Sequence, residues 1–294
     1  MRKVIISTMH RGYNYGSALQ VFALQKAIEN VGFAVEVLDY IPVRCNFKKN
    51  ITELLKKFFK GSIYANARAL MLLVLYESTY SKFFRRNVNL THSYYSSKEI
   101  EKNLQEYDVY MTGSDQVWNT FYNHGIDKLF YLDFAPEHKK RVAYAASFGM
   151  SEIDSQYKEE TKRLLSKYSV ISVRESSAID LLKSIGINNG VHVLDPTFLL
   201  SKEDWKQVVG RYLPQKKEKY LLIYSVEPNF QNVIACARKI ADKLDLKVYY
   251  AGWGIKKYIG VDKMLGVPDP LSMMGYFINA DFVVASSFHG TAFS

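Results

Sequence analysis

The chain has 294 residues and a net charge of +10; 48% of its residues are apolar and 23% are charged. That composition supports a packed core and excludes dominant disorder, and the length suits two domains. The two cysteines, Cys45 and Cys236, stand far apart, which excludes a disulfide framework and a paired-cysteine zinc site. The apolar run after Met1-Arg2-Lys3 is too short for a signal peptide. The longest one, Ala69 to Tyr76, falls well short of the roughly 20 residues that cross a bilayer. A reduced, cytosolic protein is expected.

Val4-Ile5-Ile6-Ser7 reads as a buried strand, followed by a loop with Gly12, Asn14 and Gly16. Apolar spacing predicts a helix over 17–31, ended near Gly32, and Val35–Tyr40 is the next strand. This strand-loop-helix-strand opening is the pattern of a parallel α/β sheet. Residues 51–86 read as helical, with apolar and basic positions interleaved. Strands are then expected at 107–111, 141–146, 170–173 and 191–194, with helices at 155–167 and 176–185. Ser201-Lys202-Glu203-Asp204 has the form of a capping box, and Pro214–Lys219 reads as a linker. A second alternating series follows: strand 220–226, helix 231–244, strand 247–251, helix 269–278, strand 282–285. The domains are therefore drawn as 1–200, with a basic helical insertion at about 44–90, and 201–294. The chain ends just past Gly290, where a strand would hand over to a helix. The second domain accordingly reads as cut short, with Phe293 lacking a full packing shell.

In open α/β sheets, ligands bind beyond the carboxyl ends of the strands, and helix N-termini there favour anions. Four such loops are rich in small polar residues: Asn14-Tyr15-Gly16-Ser17, Gly113-Ser114-Asp115-Gln116, Ser147-Phe148-Gly149 and Ser286-Ser287-Phe288-His289-Gly290. No Walker, G-x-G-x-x-G, G-x-S-x-G or H-E-x-x-H pattern occurs, which argues against the chemistries those motifs serve.

At these residues the chain resembles the polysaccharide pyruvyl transferase family. Tyr13–Gln20 resembles that family's opening loop and first helix, and Gly113-Ser114-Asp115-Gln116-Val117-Trp118-Asn119 its central motif. Tyr144–Gly149, Ser172–Glu175, Leu194–Thr197 and the histidine-glycine segment Ser287–Ser294 follow in the same order. The resemblance implies a GT-B-like fold of two Rossmann-like parallel-sheet domains. It also implies transfer of a pyruvyl group from phosphoenolpyruvate (PEP) to sugar hydroxyls in cell-surface polysaccharide synthesis. No cofactor or metal is expected. One position departs: many members carry arginine two residues before the histidine, where this chain has Ser287. Alternatives are a GT-B glycosyltransferase using a nucleotide sugar, or a non-catalytic member.

PEP carries a carboxylate and a phosphate, so its site needs a cation or N–H groups, a proton donor and a base. Arg174 is the expected anion clamp or else a salt-bridge partner of Glu175 or Asp180. His289 is the expected acid or phosphate ligand, or else a hydrogen-bonded packing histidine, and Asp115 orients or deprotonates the acceptor hydroxyl or is a helix N-cap. Asn14, Gly16, Ser17, Gly113, Ser114, Ser286, Ser287 and Gly290 are the expected substrate-binding positions; Trp118 is expected in the core rather than as a sugar-stacking face.

The charge is concentrated. From Arg44 to Arg86 there are ten basic residues and two acids, +8 of the +10. A localised patch without a reader motif argues against nucleic acid. It points instead to an anionic inner-membrane surface, where a lipid-linked oligosaccharide acceptor would sit. Leu54, Leu55, Phe58 and Phe59 beside Lys56, Lys57 and Lys60, then Leu70, Leu72, Leu73, Leu75, Phe83 and Phe84 before Arg85 and Arg86, would touch it; alternatively the Leu and Phe residues face the first domain's own core and the lysines are merely solvated.

Overall fold

The computed structural model describes residues 1–56, 60, 62–225, 231–252 and 257–294. It divides into two units: Met1–Thr52 with Phe84–Leu199, and Glu53–Phe83 with Leu200–Ser294. The segment 53–83, read from sequence as part of the first domain, thus groups with the second.

In the first unit β1 (Lys3–Ser7) leads into α1 (Tyr15–Asn30) and β2 (Ala34–Tyr40). Asn14 starts α1 because its extended backbone lets the side chain accept from Ser17 N at 3.2 Å. Gly32, at φ +89°, lets the chain turn back into β2. In the chain α2 (Phe47–Lys56) and α3 (Ile63–Asn87) follow, residues 53–83 of them grouping with the second unit; the first unit continues with β3 (Leu90–Tyr94), α4 (Ser97–Asn103), β4 (Val109–Thr112) and β5 (Lys140–Ala146). The unit closes with α5 (Ser155–Leu165), β6 (Val170–Val173), α6 (Ser177–Ser184) and β7 (Gly190–His192). All seven strands pair in parallel in the order β3-β2-β1-β4-β5-β6-β7. The order reverses between β1 and β4, where Ser7 stands opposite Thr112. That reversal opens a crevice past the strand ends.

Trp118 lies in the core, as expected: it stacks on Tyr131 at 5.8 Å, touches Phe148 and Tyr168, and donates from Nε1 to Phe130 O at 3.3 Å. Burial of each such ring stabilises the fold by about 1.5–3 kcal/mol.

Besides residues 53–83, the second unit contains α7 (Lys202–Val209), whose capping box has both bonds in place between Ser201 and Asp204. Then come β8 (Tyr220–Tyr224), α8 (Gln231–Leu244), β9 (Lys247–Ala251), β10 (Lys263–Met264), α9 (Pro270–Asn279), β11 (Phe282–Ala285) and α10 (Phe288–Ala292). The four strands are parallel, in the order β10-β9-β8-β11. Phe293 is half-buried, its ring meeting Trp205 at 6.4 Å and Phe277 at 5.5 Å.

Helix α3 decides part of the choice between a membrane-facing and a core-facing surface. Tyr76, Tyr80, Phe83 and Phe84 recur at helical spacing and are buried, so Phe83 and Phe84 face protein rather than lipid. Leu54, Leu70, Leu72 and Leu73 are half-buried; Leu55, Tyr64, Met71, Val74 and Leu75 are exposed. Lys57, Phe58 and Phe59 lie outside the described residues. Among the described residues, no helix is long and apolar enough to cross a membrane.

Candidate functional site

The crevice between β1 and β4 gathers much of what the sequence singled out. Asn14, Gly16 and Ser17 form the first turn of α1 above β1, and Gly113-Ser114-Asp115 leaves β4 beside them. Asp115 does not start a helix, contrary to the capping alternative. It sits at φ +76°, in the left-handed region that non-glycine residues rarely occupy. Its carbonyl accepts from Val117 N at 2.8 Å and Ser147 N at 3.0 Å, which holds the strained turn against β5. Its carboxylate accepts from Ser17 Oγ at 2.5 Å and Gln116 N at 2.9 Å.

Arg174, just past β6, joins this group. Its Nη1 lies 3.9 Å from Asp115 Oδ1 and 3.3 Å from Asp195 Oδ2, and its Nε donates to Glu175 Oε1 at 3.1 Å. Burial works against the charge on this guanidinium, but Asp115, Glu175 and Asp195 outweigh it and push its pKa up. Of the two expected salt-bridge partners only Glu175 is used; Asp180 faces Lys183 at 3.7 Å. One cation among three carboxylates leaves local negative charge, so Arg174 is poorly placed to grip an anion and well placed to fix Asp115 and Asp195.

Two expected binding residues have other tasks. Ser114 is fully buried and donates to Asp195 Oδ2 at 2.8 Å. Gly113 is required by packing: a Cβ there would lie 2.9 Å from Thr8 Cβ and 3.2 Å from Ile6 Cγ2. Neither can touch a ligand without rearrangement. Asp195 accepts in addition from Thr197 N at 3.0 Å and Thr197 Oγ1 at 2.9 Å. It is therefore the buried anchor of the cluster. Only its place in the Leu194–Thr197 motif hinted at this.

A second cluster, past β1 and β2, gave no sequence signal. Asp39 is buried and accepts from His10 Nε2 at 3.1 Å, from Arg11 Nε at 2.7 Å, and from Arg11 Nη2 and Ser93 Oγ. Burial alone would raise the Asp39 pKa; His10 and Arg11 overcome it and hold the carboxyl far below its ordinary value.

The remaining expected residues lie in the second unit, at the carboxyl end of β11. Ser286 Oγ pairs with Ser225 Oγ at 2.8 Å past β8, and Ser287 caps α10 by accepting from Gly290 N at 3.1 Å. His289 is buried, its ring centroid 5.1 Å from that of Phe288 and 6.1 Å from that of Phe293. Gly290 has no room for a side chain: a Cβ would lie 2.7 Å from Tyr224. Among the described residues, no group of His, Cys, Asp and Glu is arranged to hold a metal ion.

Comparison with known proteins agrees with this architecture. The sequence profile of the polysaccharide pyruvyl transferases matches residues 14–294. No curated protein matches by sequence. Among solved structures, an alpha-glucosyltransferase in complex with UDP has a TM-score of 0.50 at 8% identity, covering 96% of this chain and 73% of its own. UDP-GlcNAc 2-epimerase from Methanocaldococcus jannaschii has 0.46 at 13%, covering 100% and 80%. E. coli heptosyltransferase WaaC has 0.42 at 11%, covering 100% and 84%. The fold is α/β and GT-B-like, with two Rossmann-like parallel sheets.

Proposed function

The chain belongs to the polysaccharide pyruvyl transferase family, and from that premise we propose that it transfers a pyruvyl group from PEP to a sugar. A proton adds to C3 of PEP, a sugar hydroxyl bonds to C2, and the C2–O bond to phosphate breaks. A second hydroxyl of the same sugar then closes the ketal. Of the two hydroxyl protons, one ends on C3 and the other on the departing phosphate.

The observation that supports this reading most is Asp115, a carboxylate fixed at the topological switch point beside a helix N-terminus. It is the candidate base for the sugar hydroxyl, with Ser17 and Arg174 holding it in place. His289 is the candidate acid, and the start of α1 offers N–H groups to an anion. Ser287, in place of the arginine common in the family, leaves donor choice as the main question. Incubation with PEP and candidate glycans, following phosphate release, tests the reading. His289→Ala should lower turnover by on the order of 100-fold. Release of nucleoside diphosphate from a nucleotide sugar, with no phosphate released from PEP, would favour a glycosyltransferase, and no turnover with either donor a non-catalytic member.

We also propose, on the charge map, that the protein binds peripherally to the inner membrane face, where a lipid-linked acceptor would be reached. Exposed Tyr64, Met71, Val74 and Leu75 share α3 with Lys82, Arg85 and Arg86, which are exposed too. Each basic residue near an anionic bilayer contributes about 1 kcal/mol. Sedimentation with anionic vesicles at low salt should retain the protein, and high salt or Lys82, Arg85 and Arg86→Glu should release it. Failure to bind at low salt would end this reading.

A further inference from the structure

The first unit holds an open cavity of about 990 Å³ that none of the expected site residues line. One wall is the loop after the central motif, with Phe121 and Tyr122; the other is the start of α5, with Tyr157 and Gln156. Phe121 is 88% exposed and its neighbour Tyr122 is 51% exposed. Adjacent aromatic side chains left in water at the rim of a cavity indicate a ligand with apolar faces.

The loop that displays them is tied down. Gly125 N donates to Thr120 O at 2.7 Å, Asn123 N to Asn119 O at 3.0 Å, and Asn123 Nδ2 to Val117 O at 3.0 Å. Arg44 braces the loop, donating to Tyr122 O at 3.2 Å and Asn123 Oδ1 at 2.9 Å while its guanidinium lies 4.7 Å from the Tyr122 ring centre. A loop backbone held this way needs little ordering on binding.

Charge then narrows the ligand class. The charged side chains lining the cavity are Arg44 and Lys158 against Glu152 and Asp154, so they balance. A nucleotide or a phosphorylated acid would need surplus positive charge; a neutral polyhydroxyl ligand would not. The volume is at the upper end of the roughly 300–1,000 Å³ usual for small-molecule sites, which suits an oligosaccharide better than one ring.

The cavity is also wired to the crevice. Asp115 Oδ1 accepts from Gln116 N at 2.9 Å, Gln116 Oε1 from Asn119 Nδ2 at 2.8 Å, and Asn119 Oδ1 from Tyr122 N at 2.9 Å. A Cβ built on Gly12, in the β1–α1 loop, would lie 3.9 Å from the Tyr122 hydroxyl. Burial, and less strongly the nearby Asp115 charge, raise the pKa of that hydroxyl; Arg44 opposes them.

We propose that this cleft seats the acceptor glycan, with sugar rings stacked on Phe121 and Tyr157 and hydroxyls held by Arg44, Glu152 and Gln156. A terminal sugar is thereby delivered past Tyr122 toward Asp115. This rests on the reading that the acceptor is a sugar, and it adds where the sugar binds and that it is an uncharged oligosaccharide.

The test uses the full chain on a glycan array, then titration with the strongest-binding glycan. Wild-type protein should bind neutral oligosaccharides, and Phe121→Ala and Tyr157→Ala should each weaken binding by roughly tenfold. Phe121→Trp should restore it, and PEP binding followed by ligand-observed NMR should not change in any variant. Phe121 is exposed, so its loss leaves the core intact. No glycan binding by wild type, or binding that ignores both alanine variants, overturns the assignment. Glycan binding lost in the variants without PEP-dependent transfer by wild type would uphold the cleft and refute the pyruvyl reading. Transfer with an acceptor KM unchanged in both variants would do the reverse.

Discussion

Two buried ion clusters flank the crevice between β1 and β4, and their charge ratios are opposite. On the β2 side, one carboxylate, Asp39, is held by His10, Arg11 and Ser93. On the β6 side, one guanidinium, Arg174, is shared by Asp195, Glu175 and Asp115. A carboxylate surrounded by donors is fully compensated and therefore chemically quiet. Three carboxylates sharing one cation are each only partly compensated. Asp195 spends its oxygens on Ser114 and Thr197 within the fold, whereas Asp115 faces the crevice with part of its side chain exposed. The difference marks Asp39 as a structural tie and leaves Asp115, at the switch point, as the carboxylate proposed above as the base.

The comparison breaks first at its arginines. Arg174→Met leaves buried Asp195 without its cation and should cost about 3–5 kcal/mol of stability in urea unfolding. Asp195→Asn in the same chain should recover part of that loss, because it removes the stranded charge. Arg11→Met should cost less, about 1–3 kcal/mol, since His10 and Ser93 still hold Asp39. Equal losses would show that the two clusters do not differ as described. Gly113→Ala asks whether the crevice depends on the close approach of β4 to β1. A Cβ 2.9 Å from Thr8 Cβ must displace one of the two strands, at about 1–3 kcal/mol.

The smallest effect is a pH dependence. The Asp39 pKa is depressed in the fold, so its contribution is present above its ordinary value of 3.8 and is lost as pH falls toward the lower folded value. The stability gap between wild type and Asp39→Asn should therefore be flat above about pH 5 and close in stronger acid. A gap that widens in acid would reverse the sign of the argument.

What the sequence disclosed follows a physical line. Strands buried on both faces, such as Val4–Ser7 and Tyr220–Tyr224, stand out as apolar runs, and Ser201 with Asp204 announces α7. β3 did not stand out, because its Leu-Thr-His-Ser-Tyr mixes polar residues into an edge strand that is mostly half-buried. The capping alternative for Asp115 failed because a left-handed turn, not a helix, follows β4. Phe83 and Phe84 beside Arg85 and Arg86 fitted a membrane-facing or a core-facing helix equally, because their burial is decided by tertiary packing, as in the edge contact of Phe84 with His10 at 5.4 Å. The pairing of Ser114 with Asp195, 81 residues apart, and of His10 with Asp39 depends on strand order and register. Residue type and spacing carry no trace of either.

The most direct test of the central claim is Asp115→Asn. Asparagine tolerates the left-handed backbone, and its amide oxygen can still accept from Ser17, so the fold should be kept. With PEP and an accepted glycan, phosphate release should fall by on the order of 100-fold while the melting temperature stays near wild type. Turnover close to wild type in a folded Asp115→Asn protein would contradict the assignment of Asp115 as the base.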